Sequence, residues 1–367
     1  MVTLNVALGA RAYPIHLVGE LPNQRVADVV GERATLHAAR RALIITDSHV
    51  GPLYAGGVVS ALEGAGKATE VLEIPAGEAS KSLSQIGDVL DYALTRGVGR
   101  GDFLVALGGG VVGDIAGFSA AILHRGVSVL QVPTTLLAQV DSAVGGKTGV
   151  NHAVGKNLIG AFWQPEAVVS SQKVLETLPD RERRCGLAEA LKHGLIADAP
   201  RVDWIVEHAA ALRALETHAT TELVAACCRI KAEVVASDER DHGRRAILNF
   251  GHTFGHAYEL LAGYGALSHG EAVGLGMVLA ARLSEILGVG HEGLENQVRH
   301  ALRVLGLADD PASEERPGLD ALVAAARSDK KSDGEKVRFV LLEKRGQALI
   351  RELEWSQIKV SLSDTFG

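Results

Sequence analysis

Phe103-Leu104-Val105-Ala106-Leu107-Gly108-Gly109-Gly110-Val111-Val112-Gly113-Asp114 is an apolar run that breaks into glycines and then resumes as far as Leu123. Residues 103–123 are numerous enough to span a bilayer. Three successive glycines and Asp114 at the centre argue instead for strand, loop and helix. In that setting Gly108-x-Gly110-x-x-Gly113 is a pattern whose backbone N–H groups and helix N-terminus can receive a pyrophosphate. The pattern alone is weak, because a purely structural glycine turn reads the same way. No acid follows about 20 residues on, at the end of the next strand, where a ribose partner is expected. That strand ends in Pro133-Thr134-Thr135, so ribose partners would come from earlier strand ends, where Asp47 and Glu78 stand.

Outward from this stretch, residues 42–46, 70–74, 103–107 and 127–132 read as short strands bounded by Gly, Pro or Asp. Between them lie segments such as 82–96, with Leu83, Ile86, Leu90, Ala93 and Leu94 at helical spacing. Such alternation predicts a parallel sheet with helices on both faces. The texture changes near 174–179. Beyond it, residues 181–197, 202–215, 217–237, 244–262 and 270–287 read as helices, followed by one hairpin at 337–342 and 348–352. The expected fold is an α/β, Rossmann-like N-terminal domain with a parallel sheet (residues 1–178) and a mostly α-helical C-terminal domain (residues 179–367). Residues 309–317 form the one loop-like tract, and no internal repeat is visible.

Composition agrees with a two-domain enzyme. The 367 residues suit two domains at roughly 100–200 residues each, and 47% apolar with 22% charged residues excludes a disordered chain. The 42 glycines exceed the usual ~7% without a collagen-like period. The net charge of −7, with no basic run longer than two residues, argues against a nucleic-acid partner. Residues 1–17 lack a signal-peptide layout, and no membrane partner is expected. Cys185, Cys227 and Cys228 have no metal-like spacing, which suits a reducing, cytoplasmic setting.

Asp141-Ser142-Ala143-Val144-Gly145-Gly146-Lys147-Thr148 ends like a P-loop but carries Asp141 where the first glycine belongs, which disfavours nucleotide hydrolysis. Lys147, and Lys156-Asn157 soon after, stand in Gly-rich, otherwise apolar sequence and suit an anionic ligand. Further on, Asn249-Phe250-Gly251-His252-Thr253-Phe254-Gly255-His256 places two histidines at i, i+4 on one helix face. A third histidine follows in His269-Gly270-Glu271. Upstream, Glu189 and Lys192 stand at i, i+3. A His2Glu set with an open position is a catalytic rather than structural zinc site. Two sets satisfy it: His252 and His269 with Glu189, or His252 and His256 with a carboxylate. Spacing alone favours the second, because adjacent turns share one ion easily. Lys192, Lys231, Arg244, Arg245 and Lys330-Lys331 supply a dense cationic set, as a multiply charged anionic substrate would require.

These motifs together resemble the 3-dehydroquinate synthases. The resemblance runs in order from about Pro75 to the segment 329–334. It rests on 108–114, 131–141, Gly145-Gly146-Lys147-Thr148, Gly155-Lys156-Asn157-Leu158-Ile159-Gly160, 187–192, 231–240, 248–256 and His269-Gly270-Glu271. Ala79-Ser80 and His193 differ in type from the family's usual residues, and neither is a matched functional position. By resemblance the metal ligands, for Zn2+ or Co2+, are Glu189, His252 and His269, against the spacing argument. The catalytic positions are His256, Asn249, Lys192, Arg245, Lys231 and Asp141. Substrate contacts add Lys147, Asn157, a lysine of Lys330-Lys331, and Arg125, which the family lends across a homodimer interface. NAD positions are Asp47, Gly77, Glu78, Lys81, Gly110, Val111, Val112, Gly113, Asp114, Thr134, Thr135, Asp141, Lys147, Lys156, Val174, Leu175, Glu176 and Thr177.

The resemblance implies a phosphate-eliminating lyase that converts 3-deoxy-D-arabino-heptulosonate 7-phosphate to 3-dehydroquinate. Transient oxidation by NAD, elimination, re-reduction, ring opening and an intramolecular aldol closure follow one another in the family. The alternatives are a cyclase acting on sedoheptulose 7-phosphate or glucose 6-phosphate, a polyol dehydrogenase, and a non-catalytic NAD-sensing protein. Net NADH production would mark the second, and absence of phosphate release the third.

Overall fold

A computed structural model describes residues 1–263, 266–311, 316–329 and 334–366 of the chain. These divide into two compact units, residues 1–178 with 231–240, and residues 179–230 with 241–367. The segment 231–240, which a boundary at 178/179 assigns to the second domain, belongs to the first unit. Its side chains explain why. Lys231 Nζ donates to the Asp141 carboxylate and, at 2.8 Å, to the Asp141 main-chain oxygen. Glu239 accepts from Arg11 at 2.6 Å and from Gln164 at 3.0 Å.

The first unit is a layered α/β structure. Its elements run β1 (Val2–Val6), β2 (Tyr13–Val18), α1 (Asn23–Glu32), α2 (Ala34–Ala38), β3 (Arg41–Asp47), α3 (Gly56–Gly64), β4 (Ala68–Ile74) and α4 (Leu83–Thr95). They continue with β5 (Phe103–Gly108), α5 (Gly110–Ile122), β6 (Ser128–Pro133), β7 (Lys147–His152), β8 (Gly155–Phe162) and β9 (Ala167–Ser171). Seven strands form one sheet in the order β1-β2-β9-β6-β5-β3-β4, parallel throughout except for antiparallel β1 and β2 at one edge. Strand β5 shows why two helical layers are needed. Its side chains alternate, Leu104 and Ala106 packing with α4 and α5, and Phe103, Val105 and Leu107 packing with α1 and α3. Both faces are apolar and both are covered, as a parallel sheet requires. Ser82 starts α4 by accepting from the Gln85 N–H at 3.1 Å.

The hairpin of β7 and β8 was not expected. Its residues lack period-2 alternation, and Gly149 pairs with Gly160 across it. A Cβ on Gly160 would lie 2.0 Å from the Thr148 carbonyl oxygen, so the backbones approach as only glycine permits.

The second unit is mostly helical: α6 (Asp180–Ala197), α7 (Ala199–Glu207), α8 (Ala209–Arg213), most of α9 (Thr217–Ser237), α10 (His252–Ala262), α11 (His269–Ile286), α12 (Leu294–Val304) and α13 (Leu319–Asp329). A hairpin, β10 (Lys336–Lys344) with β11 (Gln347–Glu354), and α14 (Trp355–Leu362) complete it. Two expected helices are each broken. The segment 202–215 divides at His208, whose Nδ1 lies 2.9 Å from the Trp204 carbonyl oxygen. The segment 244–262 divides into a 3₁₀ turn, Arg244–Asn249, and α10. The loop tract 309–317 falls partly outside the described residues. No helix among the described residues is long and apolar enough to cross a membrane.

Candidate functional site

Backbone contact between α10 and α11 gathers the histidines. Gly251 turns the chain into α10 at φ +80°, and a Cβ there would meet the Met277 N and Val273 O at 2.9 Å. A Cβ on Gly276 would lie 2.0 Å from the Gly251 oxygen. Any larger residue would hold the helices apart. A capping box fixes the start of α11: Ser268 Oγ accepts from the Glu271 N–H at 3.3 Å, and the Glu271 carboxylate accepts from the Ser268 N–H at 2.7 Å. Arg181 adds a 2.9 Å ion pair to Glu271. His269 is the first residue of that helix, and α6 lies against it: a Cβ on Gly270 would come within 2.4 Å of the Cys185 Cα.

Glu189, fully buried on α6, thus faces two imidazoles. Its Oε1 lies 3.5 Å from His252 Nε2 and 3.2 Å from His269 Nε2. The three residues offer ligand atoms within 4.8 Å of one another. His256, Glu259 and His269 form a second such set, while no set of His252 and His256 with a carboxylate is found among the described residues. The difference from the spacing argument is physical. The i, i+4 rings meet edge to face at 5.5 Å, but the buried carboxylate comes from α6 and reaches His252 and His269.

Hydrogen bonding fixes the ring tautomer of His252. Its Nδ1 stands 3.1 Å from the Phe250 carbonyl oxygen, which can only accept, so the proton sits on Nδ1 and Nε2 offers its lone pair. Burial holds the His252 pKa down to about 3, keeping the ring neutral. Burial also opposes a charge on His269, but Glu189 and Glu259 outweigh it and raise that pKa to about 10. The buried Lys192 ammonium pairs with Glu189. A carboxylate and two imidazole nitrogens fit a divalent cation of the catalytic zinc type, leaving a position for a substrate oxygen.

Near these residues in sequence, Arg245 is buried in the 3₁₀ turn. Asn249 ends that turn and lines a pocket with Asp241, Arg338 and Glu352. Lys330 and Lys331 lie outside the described residues.

The first unit holds the expected dinucleotide positions. The α5 N-terminus opens at Gly109-Gly110, where a Cβ on Gly109 would meet Thr135 Cγ2 at 2.9 Å and one on Gly110 would meet Ser142 Oγ at 3.0 Å. Thr134 Oγ1 and Ser142 Oγ are buried hydroxyls with no hydrogen-bond partner among the described residues. Such groups are expected to find one, and they lie next to the carboxyl end of β6 and the α5 N-terminus, where a phosphate-bearing cofactor fits. Asp47 Oδ1 accepts from the N–H groups of His49 and Val50 at 2.9 Å. Asp141 lies in a π-helical turn, Ala138–Ser142. Gly77, at φ +105°, precedes Glu78. Tyr54 hydroxyl, 3.2 Å from the Val174 oxygen and 2.7 Å from Thr177 Oγ1, steadies the turn that also holds Leu175 and exposed Glu176.

Lys81 donates to Asp114 Oδ2 at 2.7 Å and to Asn157 Oδ1 at 2.5 Å. Burial works against its charge, but Asp114 and Glu78 outweigh that and raise its pKa. Burial pushes Asp114 up as well, against the pull of Lys81. The 2.7 Å contact supports the ion pair as the working form. Lys147 and Lys156 lie on β7 and β8. Arg125 is exposed beyond α5 and, with His124, adopts left-handed backbone (φ +68° and +53°), which costs energy in non-glycine residues.

Family models for the N-terminal and C-terminal parts of 3-dehydroquinate synthase match residues 71–185 and 186–332. The chain belongs to the 3-dehydroquinate synthase family. A 3-dehydroquinate synthase of Acidithiobacillus ferrooxidans is 46% identical over 351 residues, which are 95% of this chain and 94% of that one. Among solved structures, 2-epi-5-epi-valiolone synthase from Streptomyces hygroscopicus subsp. jinggangensis, with NAD+ and Zn2+ bound, is 27% identical with a TM-score of 0.83 and 96% of each chain covered. A 2-deoxy-scyllo-inosose synthase complexed with carbaglucose-6-phosphate, NAD+ and Co2+ shares the fold at a TM-score of 0.88 and 24% identity. That match covers 99% of this chain and 100% of the other.

Proposed function

We propose that this chain catalyses the 3-dehydroquinate synthase reaction, converting 3-deoxy-D-arabino-heptulosonate 7-phosphate to 3-dehydroquinate and phosphate as an NAD- and divalent-metal-dependent lyase. The observation that carries the reading is the convergence of Glu189, His252 and His269 beside Lys192, in a chain of this family. The work is divided between an NAD-binding unit, residues 1–178 with 231–240, and a metal- and substrate-binding unit, residues 179–230 with 241–367.

Glu189, His252 and His269 would hold the cation, which when bound acts as a Lewis acid toward substrate hydroxyl and carbonyl oxygens. The glycine loop at the α5 N-terminus, with Thr134, Thr135, Glu78, Lys81 and Asp114, would hold NAD, whose chemistry is reversible hydride transfer. The remaining steps fall to the chain's own groups. Lys192, paired with Glu189, binds a substrate oxygen. Arg245, Lys231 and Lys147 bind carboxylate and phosphate and fix the ring, so positioning supplies much of the rate. Asp141 holds the Lys231 ammonium in place. His256, one helical turn beyond His252, orients the departing phosphate together with Asn249.

We take the chain to act as a cytoplasmic homodimer, with Arg125 serving the neighbouring subunit. Its exposure at a strained turn supports that role. Incubation with the heptulosonate phosphate, following phosphate and 3-dehydroquinate together, tests the reading. Turnover of sedoheptulose 7-phosphate or glucose 6-phosphate in its place would move the chain to another cyclase activity.

A further inference from the structure

One side chain outside every set named so far joins the two kinds of position in the first unit. Asn151 lies in β7 at the register irregularity between Val150 and His152. Its backbone N–H donates to the Lys81 carbonyl at 2.9 Å. Its Oδ1 accepts from the Asn157 N–H at 2.9 Å, and its Nδ2 donates to Glu78 Oε1 at 2.7 Å. Lys81 Nζ closes the ring by donating to Asn157 Oδ1 and to Asp114.

Chemistry leaves no choice in the direction of these bonds. A backbone N–H and an ammonium only donate, and an ionised carboxylate only accepts. Asn151 must therefore present oxygen to Asn157 and nitrogen to Glu78. Asn157 must present oxygen to Lys81, which leaves its Nδ2 to donate to an acceptor on a ligand. Asn157 also holds left-handed backbone at φ +55°, a conformation that the Asn151 bond to its N–H helps to fix. Glu78, Lys81 and Asp114 stand at dinucleotide positions and Asn157 at a substrate position, an assignment that rests on the proposed function.

We infer that Asn151 is a positioning residue that ties the dinucleotide-side carboxylate of Glu78 to the substrate-side amide of Asn157. Filling one site then orders the other, and the coupling is reciprocal.

Asn151→Ala removes both bonds. Asn151→Asp keeps the bond to Asn157 but sets a carboxylate against Glu78. Each should weaken NAD+ binding, measured by titration without substrate, and raise the KM for the heptulosonate phosphate about tenfold. The value of kcat at saturation should change by less than about threefold, because the reacting groups are untouched. Asn151→Asp combined with Glu78→Gln restores a bond of opposite direction. The double variant should therefore bind NAD+ about fivefold or more tighter than the product of the single effects predicts.

A KM and an NAD+ affinity within twofold of the parent in both single variants would overturn the inference. So would strict additivity in the double variant. If Asn151→Ala does not fold, Asn151→Asp decides alone. Should the unmodified chain release no phosphate from the heptulosonate, the activity reading fails first, and the NAD+ titrations still decide the tie to Glu78.

Discussion

Nδ1 of His269 stands 3.3 Å from Oε2 of Glu259, on the ring edge opposite the one that faces Glu189. An ionised carboxylate there keeps the proton on Nδ1 and turns Nε2 toward Glu189 and the candidate cation site. Glu259→Ala should lower Zn2+ affinity about 10–100-fold, read by competition with a chromophoric chelator. Glu259→Gln, which can still accept from Nδ1–H, should lose much less. Equal affinities in parent and Ala variant would remove Glu259 from the site.

His269→Ala should cost metal affinity outright. His256→Ala should spare the metal and lower turnover, since the set on Glu189 does not use it. Metal content after gel filtration, measured beside phosphate release, separates the two. Equal metal loss in both variants would restore the pairing of His252 with His256.

Exhaustive chelation should abolish phosphate release, and Zn2+ or Co2+ should restore it. NAD should be needed but not consumed, so absorbance at the NADH band should stay flat while phosphate accumulates. Stoichiometric NADH would identify a polyol dehydrogenase.

Arg125→Ala and Lys192→Ala should each be inactive alone and regain activity when mixed under conditions that exchange subunits. One site of each mixed dimer then carries both lesions and the other neither, so at most about half of the mixed sites recover. A silent mixture with exchange shown independently, or a fully active monomer, would place Arg125 in its own subunit's site.

Gly160→Ala should destabilise the fold by about 1–3 kcal/mol, because its Cβ would meet backbone atoms of Thr148 and Gly149. Gly31→Ala, where nothing lies within 4 Å of the new Cβ, should be neutral or stabilising. Thermal denaturation of the pair provides the comparison.

Periodicity made the helices and inner strands legible because β3, β5 and β6 are apolar on both faces and α4 is apolar on one. It failed where glycine substitutes for pattern. Residues 147–162 carry three glycines in place of an alternating core face, so the β7–β8 pairing has no local signature. Gly251 looked like one more residue in a helix, yet its left-handed turn divides 244–262. Glu189 with His252 and His269 was one of two sets that the residues left open, and the resemblance rather than spacing chose it, because Glu189 comes from a helix far away in sequence and i, i+4 spacing is blind to it. Asn151 carried no sequence signal. Its significance lies in bonds to residues 73 positions before it and six after it.

The Gly270 N–H donates to Cys185 Sγ at 3.1 Å, one residue from His269. Burial pushes that thiol up to about 12. At neutral pH almost none of it is thiolate, the form that peroxide and alkylating agents attack. A sulfur atom thus helps to seat the helix that begins at His269 while staying in its slow-reacting thiol form. The chain should keep its metal under peroxide stress for as long as α6 and α11 stay packed, and lose it only when their separation first uncovers Cys185.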